Sequence, residues 1–482
     1  MQESEQKRLC SVQLSTADLG RLKHVVQYHY WLQLFVDDLP AWQPLGKKTK
    51  TEEFVYTHFH LEIHYNNSHI IQVVGQPTTP VKLEISEQSL DFSYSITWIP
   101  TITPFEDRLH INHDEKFSRV TLYCLMTFIF LMIAATFCGL VHFMLRRICD
   151  NCYMQKPIRD MPMSESMDTD LAAFKQMAGE VFRAPSFLLM ITVCVSVGTQ
   201  LLGVTFSALF LIILFPVYAE YGYTMPLLLV LYAVFSLIGG VCSGGFYLQH
   251  RGRHWVMTLL LSLFTVPSLV FVMETCVQSF PVALPKLVSI GNGQLFLLVT
   301  APLHIVGTLL GRRFFAEANY PCKANTVQPV RYKKRWFQHP LVLILLTGFA
   351  PFISILVLAS LQFASLWDFK QYCIYGFGVV NFVLLLIAIA GSAINAAYFT
   401  IILEDSRWSW VSFLGAGSTA GYIYLLVLYT YLSRNQISEL AGEAYLGCMS
   451  LMCCLLFFLF GTTGHVAADQ FLRFVYSEIK PV

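Results

Sequence analysis

The stretch LEDSRWSWVSFLGAGSTAGYIY, residues 403–424, starts with Glu404, Asp405 and Arg407 and passes through Trp408 and Trp410 into a run of Gly, Ala, Ser and Thr. Apolar blocks at 372–402 and 409–431 flank the charges, and each exceeds the about 20 helical residues that cross a hydrocarbon core. The stretch therefore reads as a charged turn between two membrane helices, with both indoles at headgroup depth, where such rings are favoured. Gly415, Gly417, Ser418 and Gly421 leave one face of the second helix almost without side chains.

The pattern repeats along most of the chain. Nine apolar blocks run at about 119–145, 187–217, 225–248, 254–274, 287–310, 340–363, 372–402, 409–431 and 441–468. Hydrophobic residues make up 55% of the 482 positions and charged residues 13%, against roughly 25% charged in soluble domains. The fold class is a multi-pass α-helical membrane protein. A formal charge of +1 leaves no basic nucleic-acid footprint. Pro216, Pro226, Pro267, Pro302 and Pro351 mark expected kinks in or beside the blocks. Most cysteines lie inside apolar runs, and Cys149-x-x-Cys152 lacks the further ligands of a zinc site, so no metal or other cofactor is expected.

Residues 1–118 differ in kind. A cap at Ser15 precedes an amphipathic helix, after which the period changes to two. Phe59, Leu61, Ile63 and Tyr65 alternate with His58, His60, Glu62 and His64, and Leu90, Phe92, Tyr94, Ile96 and Trp98 alternate with polar residues, which predicts half-buried strands of a small β-rich domain. The three histidines and Glu62 share a strand face that reads as solvated, with metal binding the lesser alternative. Asn66-Asn67-Ser68 is a glycosylation sequon in an expected hairpin turn.

Lys and Arg in the short loops set orientation. With the N-terminal domain outside, the cytosolic segments carry eighteen: Arg146, Arg147, Lys156, Arg159, Lys175 and Arg183, then Arg251 and Arg253, then seven between 312 and 335, then Arg407, Arg473 and Lys480. The opposite side carries three, Lys286, Lys370 and Arg434. The expected layout is a lumenal domain at 1–118, a nine-helix domain at 119–468 with a first cytosolic loop at 146–186 and a basic one at 311–339, and a cytosolic tail at 469–482. Residues 1–10 are polar and unlike a signal peptide, so either the first span is a signal anchor or the chain is shortened at its N-terminus.

Segments spread over nearly the whole chain resemble the nonaspanins, the transmembrane nine superfamily. They are VDDLP (36–40), YSITW (94–98), TPFEDR (103–108), GEVFRAPS (179–186), PCKAN (321–325), GFAPF (348–352), the opening stretch, and RFVYSEIK (473–480), in family order. The resemblance implies a β-sandwich-like lumenal domain, residence in Golgi and endosomal membranes, and sorting of client membrane proteins whose transmembrane helices are rich in Gly or polar residues. It also implies a tail lysine read by coatomer; Lys480 is present, but Pro481 and Val482 replace the acidic residue of that signal.

Small residues recur in three spans: Gly240-x-x-x-Gly244, then Gly391 with Ser392 and Ala393, then Gly415, Gly417, Ser418 and Gly421. Such faces allow close backbone approach in lipid. They either pack the bundle or stay partly open to client helices, and the expected client surface comprises Gly240, Gly244, Gly391, Gly415, Gly417, Ser418 and Gly421. The expected partners are therefore other integral membrane proteins, the bilayer itself and coatomer. Ionisable groups inside spans are few, and Glu274, His304 and His465 define the rival reading, a transporter or channel. No nucleophile with its base, phosphate loop or metal motif stands out, so no catalysis is expected. RYKKRWF, 331–337, reads as a solvated basic loop with some attraction to anionic lipids.

Overall fold

A computed structural model describes residues 2–3, 6–27, 31–37, 39–49, 53–83, 88–105, 116–154, 173–214, 224–278, 294–315, 339–365, 372–433 and 439–478. The chain divides into two compact units near residue 123.

In the first unit, the Ser15 hydroxyl caps helix α1 (Thr16–Gln27) by accepting the Asp18 N–H at 3.3 Å and donating to the Asp18 carboxylate at 2.7 Å. The strands are β1 (Gln2–Glu3), β2 (Lys7–Leu14), β3 (Trp31–Val36), β4 (Leu39–Pro44), β5 (Gly46–Lys48), β6 (Glu53–Asn66), β7 (His69–Lys82) and β8 (Gln88–Pro100). Strands β1, β2 and β5–β8 form one sheet and β3–β4 a two-stranded one. Strand β6 pairs antiparallel with β7 and parallel with β8. The expected alternation is present: Val55, Thr57, Phe59, Leu61 and Ile63 are buried, and the residues that alternate with them, Tyr56, His58, His60 and Glu62, are partly exposed. Two apolar clusters cover that inner face, one from α1 around Leu19 and Val26, the other from β4 around Leu39 and Ala41.

In the second unit, among the described residues, each of the nine apolar blocks is helical. The helices are α2 (Lys116–Met154), α3 (Leu188–Leu214), α4 (Thr224–Gln249), α5 (Trp255–Gln278), α6 (Ala301–Phe314), α7 (Pro340–Ser365), α8 (Tyr372–Ile402), α9 (Trp408–Ser433) and α10 (Glu439–Glu478). Among the described residues, seven of them are long and apolar enough to cross a membrane, and the part of α7 so measured, Pro340–Leu356, is a shorter apolar helix. A π-turn, Phe296–Thr300, leads into α6 beside Pro302, whose ring removes a backbone donor. Helices α5 and α7 continue through Pro267 and Pro351. Helix α10 continues past residue 468, so the first part of the expected tail is helical, with Phe471, Leu472, Val475 and Tyr476 buried.

Candidate functional site

The turn that joins α8 to α9 is built from its own charges. Glu404 takes a left-handed conformation, φ 53°, and its N–H donates to the Ile401 carbonyl at 2.9 Å while Asp405 N–H reaches the Thr400 carbonyl at 3.0 Å. These two bonds close α8 in a Schellman motif, with Glu404 where glycine is usual. The Asp405 carboxylate, 8% exposed, accepts the Arg407 backbone N–H at 3.2 Å. It thereby satisfies one of the donors that the start of α9 leaves unpaired.

Trp408 is not an interfacial anchor. It is 6% exposed, stacks on His465 at 5.7 Å and 5°, and donates its indole N–H to the Val181 carbonyl at 2.8 Å. Trp410 donates likewise to the Ser186 carbonyl at 2.6 Å, and the Tyr476 hydroxyl to that of Phe174 at 3.0 Å. Three aromatic donors on α9 and α10 thus fasten one stretch of backbone, 174–186, that contains GEVFRAPS. Phe174, Met177, Val181 and Phe182 pack with Tyr398, Ile401, Trp408, Phe471, Leu472 and Tyr476 in one buried cluster. Residues assigned to the first loop and the tail are therefore a structural plug at this end of the bundle. Beside the plug, a small cavity is lined by Phe246, His250, Ser409, His465 and Asp469. The His250 imidazole donates to the Phe246 carbonyl at 3.0 Å, and burial lowers its pKa below the ordinary histidine value.

The small-residue faces have specific neighbours. Gly240 and Gly244 on α4 meet the His304 and Thr308 carbonyls of α6, and Gly307 and Gly311 on α6 meet the Leu237 and Val241 carbonyls in return. A Cβ at any of the four would run into backbone, so this is a reciprocal glycine seam between the third and fifth spans. A Cβ on Gly391 would stand 2.7 Å from Phe137 of α2, one on Gly415 3.0 Å from Thr347 of α7, and one on Gly417 2.7 Å from the Phe457 ring of α10. Ser418 donates to the Ile344 carbonyl of α7 at 3.1 Å. Six of the seven expected client-facing residues are thus covered by the chain's own helices, and Gly421, exposed with nothing within 4 Å of a Cβ, faces outward.

His304 is 1% exposed and fully hydrogen-bonded. Its Nδ1–H donates to the Ser236 carbonyl at 3.0 Å, and Nε2 lies 2.8 Å from Ser262 Oγ, which is itself 3.1 Å from the Leu259 carbonyl. The Ser262 hydroxyl can donate to Nε2 or, if Nε2 is protonated, turn to Leu259. Both charge states are therefore satisfied without moving a heavy atom. Glu274 lies in the last turn of α5, with its side chain outside the described residues, as are Lys480 and 331–337. Asn381 on α8 is 1% exposed, and neither of its amide atoms has a partner among the described residues.

On the outer face of the sheet, hydroxyls alternate with imidazoles. Ser93 Oγ lies 2.8 Å from His58 Nδ1, Ser95 Oγ lies 2.9 Å from His58 Nε2 and 2.8 Å from His60 Nδ1, and Thr97 Oγ1 is 3.3 Å from His60 Nε2. The parallel register, His58 with Ser93 and His60 with Ser95, sets this spacing. Among the described residues no group of His, Cys, Asp and Glu is arranged to hold a metal. Asn66 sits at the end of β6 beside Asn67, φ 53°, in the expected hairpin turn, and its Nδ2 donates to the Thr103 carbonyl at 2.7 Å.

Two features escaped the sequence reading. Gly307-x-x-x-Gly311 has the same spacing as Gly240-x-x-x-Gly244 and could have been found by it. The carbonyl acceptors at Val181 and Ser186 carry no sequence signal, because any residue supplies a carbonyl.

A family model described as Endomembrane protein 70 matches residues 1–440. Transmembrane 9 superfamily member 4 of Arabidopsis thaliana is 28% identical over 99% of this chain and 84% of its own length. Member 2 of that plant is 29% identical over 99% and 84%, and member 1 of Bos taurus 27% over 99% and 83%. No solved structure matches the chain.

Proposed function

Because the chain belongs to the Endomembrane protein 70 family, the transmembrane nine superfamily, we propose that it sorts client membrane proteins in Golgi and endosomal membranes, acting without chemistry. The first unit faces the lumen and the plug end faces the cytosol. The observation that carries the reading is the contrast within α9: Gly415 and Gly417 are spent on internal packing while Gly421, one turn further, opens onto the lipid-facing side next to exposed Leu425. A client helix with Gly or polar residues approaches closely there, where leucine-rich helices gain no comparable contact. Coatomer remains the proposed reader of Lys480, two residues beyond α10.

The test is co-purification of membrane proteins with the unaltered chain and with Gly421→Leu. Loss of clients with Gly-rich spans, with the variant still folded, supports the reading; an unchanged client set removes Gly421 from it. Orientation has its own check: Asn66→Gln should abolish a glycosidase-sensitive mobility shift, and an unaltered chain without such a shift contradicts a glycosylated lumenal Asn66. One observation favours the transporter reading, the His304 network that accepts either charge state. That reading requires flux into liposomes that His304→Ala abolishes.

A further inference from the structure

Four arginines, Arg251, Arg253, Arg312 and Arg313, lie at the ends of α4 and α6 and just before α5. Residues 250–254 connect α4 to α5, and Tyr247 braces them: its carbonyl accepts the Gly252 N–H at 3.0 Å and its hydroxyl accepts the His254 N–H at 3.1 Å. Gly252 lies against the Tyr247 ring too closely for any side chain, and Arg251 holds a left-handed φ of 56°. Arg251 and Arg253 therefore project from a rigid turn, and both are exposed. Arg312, near the end of α6, lies over the Trp255 indole with its guanidinium carbon 4.3 Å from the ring centre, and Arg313 beside it is exposed.

Among the described residues, Arg253, Arg312 and Arg313 have no carboxylate partner. The carbonyl ends of α4 and α6 attract cations, which accounts for a charge at each helix end. Two of the four arginines remain beyond one for each helix end. The apolar surroundings supply the second half of the argument: Val256, Met257 and Leu260 on α5 are 47%, 54% and 43% exposed, and Phe314 is 76% exposed. A phosphate set among these guanidiniums would have its acyl chains beside lipid-facing side chains.

We propose that Arg251, Arg253, Arg312 and Arg313 with Trp255 form a binding site for the phosphate-bearing headgroup of an anionic lipid. Planar guanidiniums suit phosphate oxygens through paired N–H donors, and Trp255 holds Arg312 ready for them. The site is separate from the Gly421 face and does not depend on the sorting reading.

The experiment is native mass spectrometry of the purified full chain with phosphatidylcholine, phosphatidylserine or a phosphatidylinositol phosphate. Selective retention of the anionic lipids is expected, falling roughly fivefold per arginine removed, or about 25-fold in Arg253→Gln/Arg313→Gln. Arg146→Gln/Lys175→Gln, an equal loss of charge elsewhere, should retain them. Equal loss in the two double variants, or equal retention of phosphatidylcholine by the unaltered chain, overturns the site. Displacement of the lipid by inorganic phosphate at similar concentration would reassign it to a free anion. If the arginine variant does not fold, the unaltered chain decides: anionic lipid but not phosphatidylcholine must raise its melting temperature, and equal shifts refute the proposal.

Discussion

Replacing glycine by alanine should have opposite effects at Gly244 and Gly421, although both lie within long membrane helices. At Gly244 the new methyl would run into the Thr308 carbonyl, which is backbone and cannot rotate aside. Helices α4 and α6 must then separate along a seam that also holds Gly240, Gly307 and Gly311. Overpacking of this kind costs about 1–3 kcal/mol. Alanine's better helix propensity returns about 1 kcal/mol, leaving a net loss of up to about 2 kcal/mol. At Gly421 nothing stands within 4 Å, so the propensity gain is unopposed and the variant should be neutral or stabilised by up to about 1 kcal/mol. Thermal unfolding of the purified protein in detergent, followed by loss of the monodisperse peak, measures both. The Gly244 variant should melt up to about 2–3 °C lower and the Gly421 variant no lower than the parent. A Gly244→Ala protein as stable as the Gly421→Ala protein would mean that the seam is looser than described, and equal losses at both sites would mean that glycine acts through helix flexibility instead of close approach.

Trp408→Phe keeps a ring to stack on His465 but leaves the buried Val181 carbonyl without its donor, a cost of about 1–3 kcal/mol. Limited proteolysis between 173 and 187 should accelerate, and unchanged cleavage would refute the clamp. His58 carries a pKa below the ordinary value, first from desolvation and then from repulsion by His60. The fold therefore favours the neutral ring: its contribution is complete above the unfolded value of 6.5 and is lost as pH falls through it towards the folded pKa. Protection factors in 53–66 and 88–100, which normalise for the slower base-catalysed intrinsic exchange at low pH, should fall between pH 7.5 and 5.5 and lose part of that dependence in His58→Gln; identical protection profiles would refute the linkage. Asn381→Leu removes two buried unpartnered polar atoms and should raise the melting temperature. A fall would instead show that the amide is solvated by an internal water.

The amino-acid sequence alone determined the class, the nine apolar segments and the half-buried strands, because those follow from local periodicity and from the energy of placing charge in hydrocarbon. Ser15 as a helix cap and Asn66-Asn67 as a hairpin turn were legible for the same reason, being interactions within a few residues. The small-residue spacing was also visible, but a glycine that receives a neighbour's backbone and one that faces lipid look identical in sequence. Only the approach of α6 to α4, of α7 and α10 to α9, and of α2 to α8 distinguished Gly240, Gly244, Gly391, Gly415 and Gly417 from Gly421. Likewise Trp408 at the start of a span suits the membrane interface on composition. Its burial on His465 depends on residues 174–186 and α10 folding over it, and the carbonyls it needs are common to every residue. The tertiary structure decides such long-range pairings, because backbone acceptors and empty space leave no mark in the order of side chains.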